Sequence, residues 1–367
     1  MEVDLRDYQQ RIVEQVISGF TGEGTDELNS MMIESPCGSG KSIMGLAIAR
    51  FFEEEFGWRT NWVANRRNLL SQILRMNSKF FGLKKLSAVS MFDSNPPAAD
   101  FLIIDEGHHS ATASAAHIDS VVRPKKYLAL SATPYRTDKL KLPFQKVVKD
   151  AGIHRLIQGG WLSKFHHWVI EKYTPETVAH TYLESPDKWG KTVVFFHSLD
   201  QCRRFQAIVS GVGPSCEVVS SQQPVSDRED ILSRFESGET KVLANVAILT
   251  EGFDCEDINT VFVRDSVKIV TVQMAGRGLR IHDGKTHCNI VQSKNAHWSF
   301  LKSASADRSF VKVDDDWLSL SGSNEIIEKV MKQNVDSMID SEVTIPKFIV
   351  KYSERKKRRP NIIRERF

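Results

Sequence analysis

The stretch Ser35-Pro36-Cys37-Gly38-Ser39-Gly40-Lys41-Ser42 contains two glycines, the second of which directly precedes a lysine and a serine. It follows the apolar run 31–33 and precedes residues 41–52, whose apolar side chains recur at helical spacing. A strand, a tight turn and a helix in this order present successive backbone N–H groups that can bind a phosphate. Gly38 and Gly40 permit the turn because they lack a Cβ that would clash. The stretch therefore predicts an α/β fold with a phosphate-binding loop.

The side chains at the end of this loop are suited to nucleotide chemistry. Lys41 can reach the β and γ phosphates of a bound nucleotide, and the hydroxyl of Ser42 can ligate Mg²⁺. Residues of the loop and of the first helical turn are therefore the candidate nucleotide-binding set: Gly38, Ser39, Gly40, Lys41 and Ser42. The usual pattern begins with glycine or alanine, whereas Ser35 occupies that position here.

Two carboxylates, Asp105 and Glu106, end the apolar run 101–104. In α/β proteins ligands bind at the carboxyl ends of the parallel strands, so both side chains are predicted near the phosphate loop. Asp105 would hold Mg²⁺ directly or through water, and Glu106 would accept a proton from an attacking water. A strand end that carries solvated acids is the alternative interpretation.

A third segment, Gln273-Met274-Ala275-Gly276-Arg277-Gly278-Leu279-Arg280, places two arginines three residues apart near the end of a predicted helix. Arginines can stabilise the negative charge that develops on a transferring phosphoryl group. The three segments follow one another in the order phosphate loop, carboxylate pair and arginine pair. Together they indicate a phosphoryl-transfer site.

Short apolar runs alternate with amphipathic segments along most of the chain, which predicts βαβ units and parallel sheets. Residues 61–64, 101–104 and 127–130 are among the predicted strands, and residues 67–80 and 270–279 among the predicted helices. The alternation weakens between residues 143 and 189 and then resumes. The sequence therefore predicts two tandem α/β domains, a linker, a C-terminal extension and a basic tail. Their predicted ranges are 1–165, 166–190, 191–296, 297–350 and 351–367. Within the extension, residues 319–323 are predicted as a loop and 325–335 as a helix.

The charge of the chain is concentrated at its end. The formal net charge is only +3, yet residues 351–367 contain eight Lys and Arg against two Glu, a local charge of +6 that leaves −3 for the remainder. The body is therefore not a broad basic surface, and its phosphate contacts would have to be local. The tail is predicted to be flexible, either as a solvated end or as an auxiliary phosphate contact.

The composition favours a cytoplasmic globular protein. Hydrophobic residues make up 41% and charged residues 26%, and no apolar run approaches the ~20 residues of a membrane span. The N-terminus lacks the apolar core of a secretory signal. Five scattered cysteines without a C-x-x-C pair fit a reducing compartment. Cytoplasmic residence in a bacterial, phage or viral setting is expected, or nuclear residence in a eukaryote, without a membrane partner.

The ordered set of segments resembles that of the superfamily 2 helicases and translocases. Residues 5–9 resemble the adenine-sensing element of that superfamily, 64–72 its motif Ia, 131–134 its motif III, 249–254 its motif V and 273–280 its motif VI. The match spans residues 4–292. The box 105–109 and the segment 156–162 resemble the DNA-directed branch, which includes restriction motors, phage and viral helicases and RadD-like repair helicases, more than the DEAD-type RNA helicases.

The resemblance implies two tandem RecA-like P-loop domains with parallel sheets, an ATP cleft between them, and ATP and Mg²⁺ as cofactors. It implies adenine contacts for Arg6 and Gln9, and nucleotide contacts from the second domain for Gly252 and Asp254. His108 would couple the nucleotide site to motif III. Gln273 would lie near the γ-phosphate, with Arg277 and Arg280 as arginine fingers. The implied nucleic-acid contacts are Arg66, Ser198 and Thr250.

The implied activity is that of an ATP-dependent DNA helicase or translocase, a DNA repair or recombination enzyme of the ATP hydrolase class. Its partner would be single-stranded, forked or branched DNA. Three alternatives stay open: an RNA helicase, an ATPase clamp gated by nucleic acid, and a remodelling subunit that binds a protein through the C-terminal extension. Departures from the pattern are mild. Asn65 replaces a common proline, Gly107 a common alanine and Cys37 a common threonine.

Overall fold

Two α/β units make up the chain, Met1–Leu156 and Ile157–Phe367. The computed structural model describes residues 3–24, 26–107, 113–132, 144–249, 253, 255–313, 316–320 and 363–365. Outside these ranges lie His108, Thr133, Thr250, Gly252 and Asp254, the predicted helix 325–335 and most of the basic tail. None of the helices in the described ranges is long and apolar enough to cross a bilayer.

The first unit contains a six-stranded parallel sheet in the order β3-β2-β4-β5-β1-β6. Its strands are β1 Ser30–Glu34, β2 Thr60–Ala64, β3 Leu86–Ser90, β4 Phe101–Asp105, β5 Lys126–Ser131 and β6 Lys146–Val148. Its helices are α1 Asp7–Thr21, α2 Lys41–Phe56, α3 Arg67–Met76, α4 Ala113–Val122 and α5 Ile153–Gln158, the last of which extends to the second unit. The strands predicted at 61–64, 101–104 and 127–130 are confirmed as parts of β2, β4 and β5. Their sequences are continuous apolar runs because these strands are almost entirely buried.

Close packing of α2 on the sheet fixes the helix that follows the phosphate loop. A Cβ on Gly45 would lie 2.7 Å from Cη2 of Trp62, so the helix approaches β2 where it has no side chain. At the far end of α2, Phe52 stacks on Trp58 with ring centroids 4.8 Å apart and also contacts Phe101 at 5.0 Å. α2 is therefore held against the sheet near its start by the close approach at Gly45 and near its C-terminal end by a packed aromatic core.

The helix predicted over residues 67–80 is shorter than expected. α3 ends at Met76, and a wider π-helical turn, Asn77–Phe81, follows and ends at Gly82 with φ of 69°. The side chain of Asn77, where the change begins, donates to the carbonyl of Leu83 at 3.0 Å and accepts from the Leu83 amide at 2.9 Å. Asparagine competes with the backbone in this way and ends regular helices.

The second unit contains a nine-stranded sheet in the order β15-β14-β13-β7-β12-β11-β8-β10-β9. Its strands are β7 Lys164–Ile170, β8 Thr192–Phe195, β9 Cys216–Val219, β10 Val242–Asn245, β11 Thr260–Phe262, β12 His287–Ser293, β13 Arg308–Val313, β14 Asp316–Leu320 and β15 Ile363–Glu365. Its helices are α6 Pro175–Leu183, α7 Pro186–Trp189, α8 Leu199–Ser210, α9 Val225–Ser237 and α10 Lys268–Gly276. The pairs β13·β14 and β14·β15 are antiparallel, and the others are parallel.

The structure divides the chain differently from the sequence prediction. The predicted linker, 166–190, contains most of β7 together with α6 and α7, and β7 pairs with β12 and β13 inside the second sheet. Part of the predicted extension, Arg308–Leu320, also joins this sheet, so residues 319 and 320 belong to a strand rather than to a loop. In the tail, Ile363–Glu365 pairs with β14.

A cluster of four aromatic residues attaches β13 and β14 to the rest of the second unit. Phe310 of β13 stacks on Trp168 of β7 with ring centroids 3.8 Å apart, and Trp317 of β14 meets the same indole edge-on at 4.9 Å. Trp189 contacts Trp168 at 5.3 Å. All four residues are buried, so these added strands are part of the core of the second unit.

Candidate nucleotide site

Three functional segments of the first unit lie at one edge of its sheet. β5 lies between β1 and β4, and the register pairs Glu34 with Ser131 and Asp105 with Leu130. The amide of Ser35 also donates to the carbonyl of Ser131 at 2.9 Å. The phosphate loop, the carboxylate pair and the start of the motif III segment therefore follow neighbouring strand ends.

The loop between β1 and α2 has the backbone geometry of an anion-binding turn. Gly38 and Gly40 have φ values of 78° and 81°, which side-chain-bearing residues rarely adopt. Gly40 is the N-cap residue of the 16-residue helix α2, and the Ser39 hydroxyl donates to the Pro36 carbonyl at 2.7 Å. The N-terminus of such a helix carries free N–H groups and a partial positive charge that favour an anion.

Lys41, the first residue of α2, is folded back onto this loop. Its side chain is buried, with 9% of the residue exposed, and Nζ donates to the carbonyls of Ser35 at 3.1 Å and Pro36 at 3.3 Å. The loop therefore already holds one fixed positive charge beside its backbone amides. Two neutral carbonyls compensate an ammonium only in part, so a phosphate would be a strong partner for this group.

The N-terminal turn of α1 supports the loop from outside. The Tyr8 hydroxyl donates to the carbonyl of Ser39 at 2.6 Å, and Gln9 Nε2 donates to the same oxygen at 2.9 Å. Gln9 Oε1 accepts from the Arg6 amide at 3.0 Å, which completes a capping box. A Cβ on Gly40 would lie 2.3 Å from Gln9 Nε2, so the contact requires glycine there.

Tyr8 is a residue that sequence reasoning missed. It lies in the element 5–9, where the family resemblance implies contacts only for Arg6 and Gln9. Burial raises the pKa of its hydroxyl, while the hydrogen bond from Arg6 acts in the opposite direction, so Tyr8 stays a neutral donor at ordinary pH. Its spacing of one residue from Gln9 gives no signal that both side chains share one carbonyl of a loop 30 residues away.

The carboxylate pair contains a strained backbone. Asp105 is the last residue of β4, and its Oδ1 accepts from the Glu106 amide at 2.9 Å. Glu106 has φ of 51°, and both residues are buried. A non-glycine residue in this region costs about 1–3 kcal/mol, and such strain is concentrated at functional sites. With this φ, the backbone at Glu106 leaves the extended conformation of β4.

Gly107 explains one departure from the expected pattern. A Cβ at this position would lie 2.7 Å from Cβ of Ala129 and 3.0 Å from Cε of Met32. The chain therefore passes directly over β5 and β1, and the alanine that is common here would collide with a rigid neighbour.

We expect Gly107→Ala to destabilise the protein by about 1–3 kcal/mol, the usual effect of overpacking a rigid core. Gly152→Ala is the matched control, because a Cβ there meets no atom within 4 Å and its φ is not positive. That control should leave stability unchanged or raise it by up to about 1 kcal/mol. Urea unfolding of both variants measures the difference, and equal midpoints would contradict the close approach at Gly107.

The arginine-bearing segment lies in the second unit. α10 ends at Gly276, and Gln273, near its C-terminal end, is buried. Arg277 is also buried, and its Nη1 donates to the carbonyl of Phe253 at 2.7 Å, whereas Arg280 is partly exposed. The predicted helix 270–279 therefore ends three residues early, since the chain from Arg277 turns with i to i−3 hydrogen bonds.

The two described candidates for nucleic-acid contact occupy equivalent positions in the two units. Arg66 is the N-cap residue of α3 after β2, and Ser198 is the N-cap residue of α8 after β8. The Ser198 oxygen accepts from the Gln201 amide at 3.3 Å, which leaves its hydroxyl proton able to donate. Helix N-termini after buried strands suit phosphate contacts without sequence preference.

The architecture of each unit, a largely parallel sheet with helices between its strands, defines a class of two-domain P-loop proteins. Two family models match the chain: "Type III restriction enzyme, res subunit" over residues 2–95 and "Helicase conserved C-terminal domain" over residues 175–282. The first match contains the phosphate loop, and the second contains Arg277 and Arg280. The chain is accordingly a superfamily 2 helicase-like protein.

Sequence relatives include a yeast protein and a phage protein. The chain is 25% identical over 354 residues to the "Putative ATP-dependent helicase IRC3" of Saccharomyces cerevisiae, covering 78% of this chain and 51% of that protein. It is also 25% identical over 300 residues to the "51.5 kDa protein" of a Lactococcus phage, covering 72% of this chain and 66% of the phage protein. The chain thus spans between half and two thirds of these relatives.

Solved structures share the two-domain RecA-like fold. One is the "ATP-dependent Type ISP restriction-modification enzyme LlaBIII bound to DNA", with a TM-score of 0.57 and 15% identity over 96% of this chain and 30% of that one. The other is S. cerevisiae Dbp5 bound to RNA and ADP BeF3, with a TM-score of 0.59 and 14% identity over 88% of this chain and 92% of that one. The likeness concerns the fold, and the two bound nucleic acids differ.

Proposed function

We propose that the chain is an ATP-driven motor that hydrolyses ATP and moves along, or remodels, DNA. The observation that supports this most directly is the shared sheet edge, where the phosphate loop with its buried lysine and the pair Asp105–Glu106 follow neighbouring strands. A phosphate-binding cradle beside an acid–base pair is the minimum that nucleotide hydrolysis requires.

In this proposal the residues of the first unit bind the nucleotide and activate the attacking water. The α2 N-terminus and Lys41 bind the nucleotide phosphates, and Tyr8 and Gln9 keep the loop in its binding conformation. Ser42 and Asp105 would hold Mg²⁺, which neutralises phosphate charge. Glu106, fixed by its turn, accepts the proton of the attacking water. The fit rests on the positive φ of both loop glycines and on the burial of Lys41 and Asp105.

The residues of the second unit supply charge to the reaction. Arg277 and Arg280 stabilise the phosphoryl group during transfer, and Gln273 lies one helical turn before them. Arg66 and Ser198, one in each unit, contact the phosphates of the nucleic-acid strand. Changes in nucleotide state would alter the affinity of the two contacts in turn, which is the thermodynamic requirement for directed movement.

DNA is proposed as the substrate because the restriction-enzyme model matches the N-terminal part of the chain. LlaBIII, a structural neighbour, is bound to DNA, whereas Dbp5, the other neighbour, is bound to RNA. The deciding experiment compares ATP turnover of the full chain without nucleic acid and with single-stranded, duplex and forked DNA and RNA. Stimulation by RNA alone would overturn the DNA assignment, and no turnover with any of them would overturn the motor.

A strand-displacement assay on the stimulating substrate separates movement from clamping. A motor should displace the annealed strand only with hydrolysable ATP. Turnover without displacement or directional movement would instead indicate a nucleic-acid-gated clamp.

Arg280→Ala should keep ATP affinity within a few-fold of wild type and lower stimulated turnover by about 10³-fold or more, as expected for an arginine finger. Arg280 is preferable to Arg277 because Arg277 is buried on the Phe253 carbonyl and its loss would also disturb packing. Arg204→Ala is the control, since Arg204 pairs with Asp200 on the surface, where both side chains are more than half exposed. Nucleotide binding and single-turnover hydrolysis are measured side by side, and a loss of affinity at unchanged turnover would contradict the role.

A further inference from the structure

Lys285 lies in the turn between α10 and β12, and its ammonium binds three backbone carbonyls. Nζ donates to Gly278 O at 2.7 Å, to Arg280 O at 3.0 Å and to Glu256 O at 3.3 Å. An ammonium has three donors, so these contacts use all of them. Burial lowers the pKa of the partly buried Lys285, against the opposing effect of Cys288, Asp257 and Cys255.

Two of these carbonyls belong to residues 277–280, which we call the arginine segment. This segment leaves α10 through single-turn hydrogen bonds, from Gly278 N to Ala275 O at 3.1 Å and from Leu279 N to Gly276 O at 3.3 Å. Carbonyls at the end of a helix carry partial negative charge and lack helical partners. The ammonium satisfies the carbonyls on both sides of Leu279 and so fixes the backbone that carries Arg280.

The third carbonyl connects the arginine segment to residues that precede β11. Glu256 follows Phe253 by three residues, and the Phe253 carbonyl accepts from Arg277. Lys285 and Arg277 therefore make two parallel bridges between the same pair of segments, one by each cation. The backbone between these two bridges is also closely packed, because a Cβ on Gly278 would lie 3.0 Å from Cγ2 of Val261.

We propose that Lys285 is a positioning residue that holds Arg280, through the backbone of the arginine segment, in the conformation needed for ATP hydrolysis; Arg277 is held separately by the Phe253 carbonyl. The inference rests on the proposed function and assigns Lys285 no contact with the nucleotide. Misplacement of a catalytic group by about 1 Å can lower a rate by about 10²-fold. Loss of three charge-assisted hydrogen bonds beneath Arg280 is sufficient for such a shift.

The test compares Lys285→Met, Lys285→Arg and Lys294→Met with wild type. Lys285→Met keeps the aliphatic length and removes the donors, so we expect kcat to fall about 10²-fold while the Kd for ATP stays within about threefold, since the nucleotide-binding loop is unchanged. Lys285→Arg keeps a charged donor and should recover part of the rate. Lys294→Met is the control, because Lys294 pairs with Glu171 away from the arginine segment.

A double-mutant cycle with Arg280→Ala distinguishes positioning from general stability. If Lys285 acts through Arg280, adding Lys285→Met to Arg280→Ala should lower kcat by less than about threefold more. A full additional loss, or a Lys285→Met variant as active as wild type, overturns the inference while leaving the motor intact. A wild-type chain that hydrolyses no ATP overturns the proposed function and this inference with it.

Discussion

Lys41→Ala is expected to reduce ATP hydrolysis by at least about 10²–10³-fold, the range found when a preorganised donor is removed from a charged transition state. The reason is the position of the ammonium, which is buried against the carbonyls of Ser35 and Pro36 in the phosphate loop. Alanine removes the fixed charge that would bind the β and γ phosphates. Phosphate release by the purified variant, at saturating ATP and nucleic acid, gives the measurement.

Loss of a buried lysine could also act by weakening the fold, and the chain offers a matched control. Lys126, at the start of β5, is equally buried and donates to Glu27, to the Leu28 carbonyl and to Asn29. It lies at the opposite strand end from the loop. Lys126→Met should lower the melting temperature and preserve the turnover of the folded fraction. Wild-type turnover in Lys41→Ala would remove Lys41 from the site.

Glu106→Gln is expected to bind ATP normally and to lose about 10²–10⁴-fold in turnover, the contribution of a general base. The amide has the shape of the carboxylate and keeps the turn after β4, but it cannot accept the proton of a water. Nucleotide affinity and single-turnover rate are therefore the paired measurements. If affinity falls instead and the rate at saturation is kept, Glu106 serves the structure of the site rather than proton transfer.

The backbone of Glu106 adds a stability measurement to the same position. Because glycine adopts φ of 51° without strain, Glu106→Gly should be inactive and yet at least as stable as wild type, with a gain of up to about 1 kcal/mol. Thermal unfolding of the Gln and Gly variants compares the two directly. A Gly variant clearly less stable than the Gln variant would show that the side chain, and not the turn, stabilises this corner.

Much of the fold could be predicted from the sequence because strands buried on both faces of a parallel sheet consist of continuous apolar runs. Residues 101–104, predicted as a strand, are all buried in β4. The sequence does not indicate β3, because this strand lies at the edge of its sheet and only Val89 in it is buried, so no apolar run marks it. Most of β7, with His166 and His167, falls in the predicted linker because the alternation of apolar runs and amphipathic segments weakens before it.

The contacts of the site also differ in how well the sequence predicts them. Contacts within the loop, such as Ser39 to Pro36, follow from local sequence, and the glycines and the lysine indicate them. Contacts made by residues distant in sequence carry no local signal. Tyr8 meets Ser39 across 31 positions, and Lys285 meets Glu256 across 29. Both are ordinary polar residues in the sequence, and only the folded chain shows what they hold.

The aromatic cluster of the second unit has a consequence for the order of events on the ribosome. The strands of the first unit are all complete once Val148 has been made. Trp168 must wait for its ring contacts with Phe310 and Trp317, which are translated more than 140 residues later. Domains that emerge first generally fold first. The nascent second unit therefore exposes a large indole surface through most of its synthesis, so this half of the chain is where chaperone binding during translation is expected.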